Sequence, residues 1–469
     1  FVSGTQILSE MAVGSIVGSA AAAVMILMVF LGFGTKLGLM PFHAWMPDLY
    51  YSAPIHSVTL LSTVCSNVAI LLIVKTSFLW IGVPDNLPMI LAILLLASLS
   101  AIWGAMESLI QTESRRILAY SSMENMSMVM LCLGMGLMFA AIDFDKSLLT
   151  LMIVAAMLHT INHSFFKSLM LLNIGKVEES TGEHSLSRMG GLALTLPMLS
   201  AFAVIGTLSM AGVPPLNGFV SEWLMIKTVV MAGTGDSILN IVLPLIIAVL
   251  GVCGMMAAAS YARLYGFIFL GRPRAEYDVP PKPIDRLSMV PMAVLSGMCI
   301  VLGIFAVPVI GILTDSVCST LHLSDSAGGV VAEALDPIMI AVAIAAIAAA
   351  LFVLFRLFGK KRRDTPTWDC GTDLKPHMQY SSEGFTQPLV RMFHPFYGDS
   401  TETDDEPGGV DLFKVSFIEP SMHYILRPIG RSVLWLSRKV NRIQTGNIQS
   451  YLAYIMVTLI AVLLGVRFL

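Results

Sequence analysis

Four charged side chains, Lys36, Glu124, Lys167 and Glu222, each interrupt a long apolar run, and His159 and His163 share the run that holds Lys167. Holding an ionised group at mid-membrane costs from about 2.5 to more than 10 kcal/mol, and chains that keep such groups use them to move ions or protons. His159, His163 and Lys167 recur at every fourth residue, so on a helix they share one face. Histidine changes charge near neutral pH, which suits a member of a proton relay. A histidine pair at that spacing also fits a metal ion, but no Glu or Cys accompanies it. That leaves proton relay, or packing and helix–helix hydrogen bonding, as the readings of this trio. Lys36 stands between Gly34 and Gly38, one turn before Pro41, and reads as functional. Its bland alternative is a snorkelling lysine at a helix end. Glu222 is either a transport group or a cap for backbone freed by the nearby prolines. Glu124, beside Asn125, is either a relay member or a polar clamp on a neighbouring helix. Glu107, near the end of its run, reads as solvated.

The elements that must position these groups follow from composition. The chain is 56% hydrophobic and 13% charged, with mean hydropathy +0.79, where a soluble domain carries about 25% charged residues. It is an integral membrane protein. Apolar runs of about 20 residues select helices over barrel strands. They fall near 11–40, 55–77, 87–110, 117–142, 148–175, 191–211, 215–232, 238–270, 287–313, 336–358 and 449–467. Lys and Arg accumulate in cytoplasmic loops. Taking 191–211 and 215–232 as one discontinuous span gathers Arg115, Arg116, Lys176, Arg188, Arg272, Arg274, Lys282, Arg286, Arg356 and 360–363 on one side. A tight helical hairpin there would split them. The fold class is therefore all-α, a polytopic bundle of about ten spans that includes discontinuous helices. Pro41 marks one break and Pro214 with Pro215 the other, because proline removes a backbone donor; broken helices at membrane depth line polar cavities in transporters.

The expected organisation is a transmembrane domain over 1–313, a further helix with its preceding loop over 314–358, a polar cytoplasmic-side segment over 359–448, and an anchor over 449–469. The polar segment carries an acidic patch (Glu402, Asp404, Asp405, Glu406) and, over 420–445, a basic amphipathic helix suited to the lipid interface (Arg427, Arg431, Arg438, Lys439, Arg442). The six cysteines are scattered without a CxxC pair, so metal or cluster ligation is not expected. Cys370 in the WDCG segment, lacking a partner thiol, reads as part of a contact surface. No cofactor motif and no nucleic-acid surface is present in the sequence. Phe1 at the start, without a signal pattern, reads as a trimmed N-terminus.

Four blocks carry a resemblance: TKLGLMPFHAWMPDLYYSAPIHSVTLLS (residues 35–62), ESRRILAYSSMENMSMVMLCLG (113–134), LHTINHSFFKSLMLLNIGKV (158–177) and LSMAGVPPLNGFVSEWL (208–224). Together they resemble the proton-translocating, antiporter-like membrane subunits of respiratory complex I, Mrp-type sodium/proton antiporters and membrane-bound hydrogenases. SSMENM (121–126), the 367–393 segment and RIQTGNIQSYLAYI (442–455) are similar to the large membrane subunit of formate hydrogenlyase and hydrogenase 4-type complexes. The resemblance implies a bilayer-embedded subunit that conducts protons, with membrane and peripheral partner subunits supplying electron transfer. It matches Lys36 to the lysine on the first broken helix. It matches His159, His163 and Lys167 to the central helix, and Glu222 to the outlet. Glu113, Arg115 and Arg116 match a structural or gating loop. Two departures accompany it. The family lysine on the following helix falls at Asn67, with His56 too far along the helix to replace it, and the glutamate that pairs with the first lysine belongs to an earlier helix. An Mrp-like or complex I-type antiporter subunit, and a non-pumping membrane scaffold, are the alternatives.

Overall fold

The computed structural model describes residues 18–233, 238–274, 284–321, 335–358, 371, 379–397, 400–405, 411–416, 421–441 and 446–468. The Cys370 thiol, the basic run 360–363, Lys282, Glu406 and Arg442 lie outside them. The chain divides into two compact units, 1–390 and 391–469.

In the first unit the helices are α1 (Ser19–Leu37), α2 (Trp45–Ser52), α3 (Ile55–Trp80, with wider π-type turns at Leu61–Cys65 and Lys75–Trp80), α4 (Leu87–Ile110), α5 (Ser114–Ala141) and α6 (Lys146–Thr181). They continue as α7 (Pro197–Met210), α8 (Asn217–Met231), α9 (Leu239–Phe269), α10 (Arg286–Ile304), α11 (Ala306–Leu321), α12 (Leu335–Phe358) and α13 (Ser382–Met392), whose last two residues fall past the unit's end at 390. Local chemistry sets their ends. Asn86 accepts from the Met89 N–H at 3.1 Å ahead of α4, and Asp145 accepts from Ser147 at 2.8 Å ahead of α6. Gly38 and Gly182, at φ 82° and 74°, end α1 and α6 in left-handed caps. Seven of the described helices are long and apolar enough to cross a membrane unaided: α1, α3, α4, α5, α6, α9 and α10.

Helices α5 and α6 form the centre, since nearly every residue of α5 is buried. Contacts along α6 decide the status of α7 and α8. Asn173 donates to Leu199 O, Gly206 packs on Met170, Asn162 donates to Asn217 O, and His159 meets Ser221. As α6 is read backwards, 173 to 159, the partner chain advances from 199 to 221. A hairpin would reverse that order, so α7 and α8 are one broken span, as the charge pattern implied. The first break has the same character: α1 stops where the Met40 N–H donates to Ser100 in mid-α4, and α2 carries the chain on until Asp48 pairs with Arg116.

The loops 51–54, 111–116, 182–191 and 270–274 meet at one end of the bundle. Ser114 N–H donates to His184 O, Leu186 N–H to Thr112 O, and Gly191 N–H to Leu270 O. Arg115, Arg116, Arg188, Arg272 and Arg274 belong to these loops or their flanks. The run expected over 287–313 is two helices, α10 and α11, parted at Phe305. Pro308 cannot donate to Ile304 O, which ends the first helix there.

The second unit contains an antiparallel ribbon, β1 (Ser400–Asp405) with β2 (Asp411–Ser416), pairing Ser400 with Ser416 and Asp405 with Asp411. Glu402, Asp404 and Asp405 fall on β1. Within the 420–445 stretch the helix α14 (Arg427–Asn441) has no buried residue, and α15 (Ile448–Phe468) follows it.

Candidate functional site: a buried polar string

Side chains of α5 and α6 face one another across the centre of the first unit. Lys167 Nζ donates to Leu118 O at 2.9 Å and to the Ser121 hydroxyl. Next to Ser121, Ser122 Oγ accepts from the Tyr50 hydroxyl at 3.2 Å and lies 3.1 Å from Ser62 Oγ. Glu124 Oε2 accepts from Tyr261 of α9 at 3.4 Å, and its carboxylate is within electrostatic reach of Lys167 and Glu222. Asn125 donates to Ser121 O, which turns its Oδ1 toward His159 Nε2 at 3.1 Å. The other ring nitrogen, Nδ1, lies 3.0 Å from Ser221 Oγ on α8. Asn162 then ties Ser221, at 3.1 Å, to the Asn217 carbonyl, at 2.8 Å. The string runs from α5 through α6 to the helix beyond the second break.

This arrangement serves both charge states of His159. The Asn125 oxygen fixes a proton on Nε2. In the neutral ring Ser221 donates to Nδ1. In the imidazolium the direction reverses, and the Ser221 proton turns to Gly218 O, 3.1 Å away. Proton gain and loss at Nδ1 therefore need one hydroxyl rotation and no movement of a helix. Both nitrogens of His159 are thereby committed, so His159 and His163 do not present a pair of free nitrogens to one metal ion.

Residues 2–251 match the family model described as "NADH:quinone oxidoreductase/Mrp antiporter, TM". The chain belongs to this family. Hydrogenase-4 component B of Escherichia coli (strain K12) is 26% identical over 467 residues, covering 95% of this chain and 69% of that protein. Formate hydrogenlyase subunit 3 of the same organism is 29% identical over 376 residues, 78% of this chain and 59% of that one. Among solved structures, a subunit of the membrane-bound sulfane sulfur reductase, an archaeal respiratory membrane complex, shares the fold at TM-score 0.64 and 21% identity, over 95% of this chain and 70% of its own.

The other residues expected of a family member take the following places. His163 is fully buried between His159 and Lys167, its ring edge on Phe166 at 5.4 Å, and neither nitrogen has a hydrogen-bond partner among the described residues. Glu222 is half-buried, its carboxylate folded against Gly212 in the second break, where a Cβ would sit 2.3 Å from Oε2. That position suits the capping alternative as well as a transport role. Pro41, Pro214 and Pro215 lie at the two breaks. Asn67 donates to Ser164 of α6 at 2.8 Å, so the neutral replacement is bonded to the central helix. Lys36 does not join the string. It is exposed on the stripe Val24, Met28, Gly32 of α1, at the depth of the first break.

At the arginine-rich end, buried Glu178 accepts from Arg115 Nε at 2.6 Å and Ser114 Oγ at 2.7 Å, with His184 Nδ1 3.3 Å away. Arg115 also donates to Ala53 O at 2.9 Å. Arg115 thereby ties the 51–54 and 111–116 segments to the end of α6, a structural task. Glu107 is not solvated: it is 1% exposed and accepts from Gln111 at 2.8 Å. Composition missed Tyr50, Ser121, Tyr261, Asn162, Asn217 and Ser221, which look like ordinary helix residues. It also missed His43, which is buried in the first break with both ring nitrogens unpartnered among the described residues, 6.3 Å from the Tyr120 ring. Only its place beside Pro41 signalled it.

Proposed function

We propose that this chain is the antiporter-like membrane subunit of an ion-translocating oxidoreductase complex of the hydrogenase-4 and formate hydrogenlyase kind. It sits in the cytoplasmic membrane with the arginine-rich end inward, and membrane and peripheral partner subunits perform the electron transfer. Protons move along Lys167, His163, His159 and Glu222, with Glu124 coupled to this line and Lys36 acting at the first break. The relatives named above support the class of complex. The observation that carries the relay is the two-sided bonding of His159, between Asn125 and Ser221. Charge displaced near Lys167 changes the field at His163 and His159, and buried groups feel one another strongly over short distances. Asn67 favours a second reading, a family member that no longer pumps, because one relay position holds a group that does not titrate.

The test is Lys167→Met, and separately His159→Gln, in the assembled complex within sealed vesicles. Proton translocation per electron pair falls at least tenfold while partner redox turnover and subunit content persist. Translocation at the parental ratio in both variants rejects the relay and leaves the scaffold reading.

A further inference from the structure

A second line of polar groups, meeting the string just described at Glu124 and Tyr261, follows the seam between α4 and α9. Gly104 of α4 lies so close to α5 that a Cβ there would come within 2.7 Å of the Glu124 amide nitrogen. One turn further, Ser108 Oγ and Ser260 Oγ are 2.8 Å apart, and Ser260 lies 2.9 Å from Ser108 O. Beyond them Arg263, only 2% exposed, donates to the Gln111 carbonyl and approaches Ser382 Oγ at 3.3 Å. Tyr261, next to Ser260, reaches back to Glu124. Gly104 to Gln111 spans about 10 Å of helix. Hydroxyls and one cation thus lie in order between Glu124 and the arginine-rich end, with an interruption in the hydrogen bonding among the described residues between the Ser108–Ser260 pair and Tyr261. An apolar pair would close the same gap without the desolvation cost of a buried guanidinium.

Residues 379–390, which follow α12 in the sequence, cover the outer mouth of this seam. Gln379 donates to Pro273 O at 3.1 Å and Arg274 donates to Tyr380 O at 3.3 Å. Ser187 donates to the Glu383 carboxylate, and the Phe385 ring is 6.4 Å from that of Phe267. Ser382, Thr386 and Val390 form the buried inner face of the strap, and Glu383 is within electrostatic reach of Arg263. The hydrogen bonds from Gln379 and to Tyr380 O are exposed, so this edge of the strap is solvated.

We infer that the Ser108–Ser260–Arg263 seam is a second proton-access branch to Glu124, with Arg263 as its positioning cation and residues 379–390 as its lid. The inference rests on Glu124 being a working member of the relay. While the strap is docked, Ser382 Oγ and the nearby Glu383 carboxylate face Arg263 and seal the branch, and the guanidinium Nε keeps no hydrogen-bond partner among the described residues. When it lifts, the guanidinium is left facing the hydroxyls that lead to Glu124.

The experiment measures reaction of Ser260→Cys with a membrane-impermeant maleimide, offered from the arginine-rich side to the full chain in its membrane. With the strap intact, labelling stays near that of the parent. Combining it with Ser382→Ala and Glu383→Ala raises the labelling rate at least tenfold, while Ser209→Cys, buried on α7, does not change. Continued protection of Ser260→Cys in the strap variant overturns the proposal, as does an equal gain at Ser209→Cys. Ser108→Cys repeats the measurement if Ser260→Cys is poorly produced. Labelling requires no proton translocation, so its failure leaves the relay standing, and failure of the Lys167→Met test leaves the seam standing.

Discussion

Ser221 is the residue on which the chemistry of His159 turns. Its hydroxyl is shared among the imidazole, Asn162 and Gly218 O. Removing it leaves a buried ring nitrogen and a buried amide short of a partner, and an unmet buried polar group costs about 1–3 kcal/mol. Ser221→Ala is therefore expected to lower the thermal midpoint of the purified chain by several degrees and to slow proton translocation. Ser221→Thr keeps the hydroxyl and restores much of both. Thermal unfolding in detergent and vesicle acidification read the two effects. Glu178 calls for a different argument, because it anchors loops and carries no proton in the proposed relay. Glu178→Gln breaks an ion pair between a buried carboxylate and the part-exposed Arg115; a fully buried pair costs about 3–5 kcal/mol to break, and a smaller loss is expected here. The loss appears as lower stability of the purified chain, with proton-to-electron stoichiometry unchanged in whatever complex still assembles.

Among the elements, α4 and α5 set the depth at which the carboxylate of Glu124 is held. Their contact at Gly104 is backbone against backbone, with the Tyr120 carbonyl 2.9 Å and the Glu124 nitrogen 2.7 Å from the place of a Cβ. Gly104→Val must push the two helices apart; overpacking of this kind costs about 1–3 kcal/mol, and it moves Glu124 away from Tyr261. The expected outcome is a folded but less stable chain, read by thermal unfolding. The breaks that interrupt the other spans were legible because proline and glycine act locally, on the backbone donor and on φ. The hydrogen-bond partners were not legible. A serine inside a helix ordinarily bonds the carbonyl four residues back, as Ser127 does to Met123 O at 2.6 Å. Nothing in the sequence separates Ser127 from Ser221, which reaches across to another helix. Glu107 was misjudged for the same reason: nearness to a helix end says little once other loops fold over it.

For the molecule as a whole, the charge distribution was the most informative global signal, because it favoured one broken span over a hairpin for α7 and α8 before any contact was known. What it could not show is which apolar faces meet a partner. The exposed stripe of α1 carries Val24 and Met28 at 55% and 62% exposure, and the same stripe ends at Lys36. A lysine facing hydrocarbon at that depth costs at least about 2.5 kcal/mol, a cost that a counter-charged neighbour would offset. Lys36→Leu discriminates between lipid and a charged partner. If the stripe faced lipid, the leucine would stabilise the chain alone and the assembled complex alike. A neighbouring helix bearing a counter-charge gives opposite signs: the isolated chain gains stability, while the complex loses both cohesion and proton translocation, because the partner carboxylate is stranded without its cation. The expected result is the opposite-sign pattern, measured as thermal midpoints of the purified chain and of the intact complex, with translocation recorded on the latter.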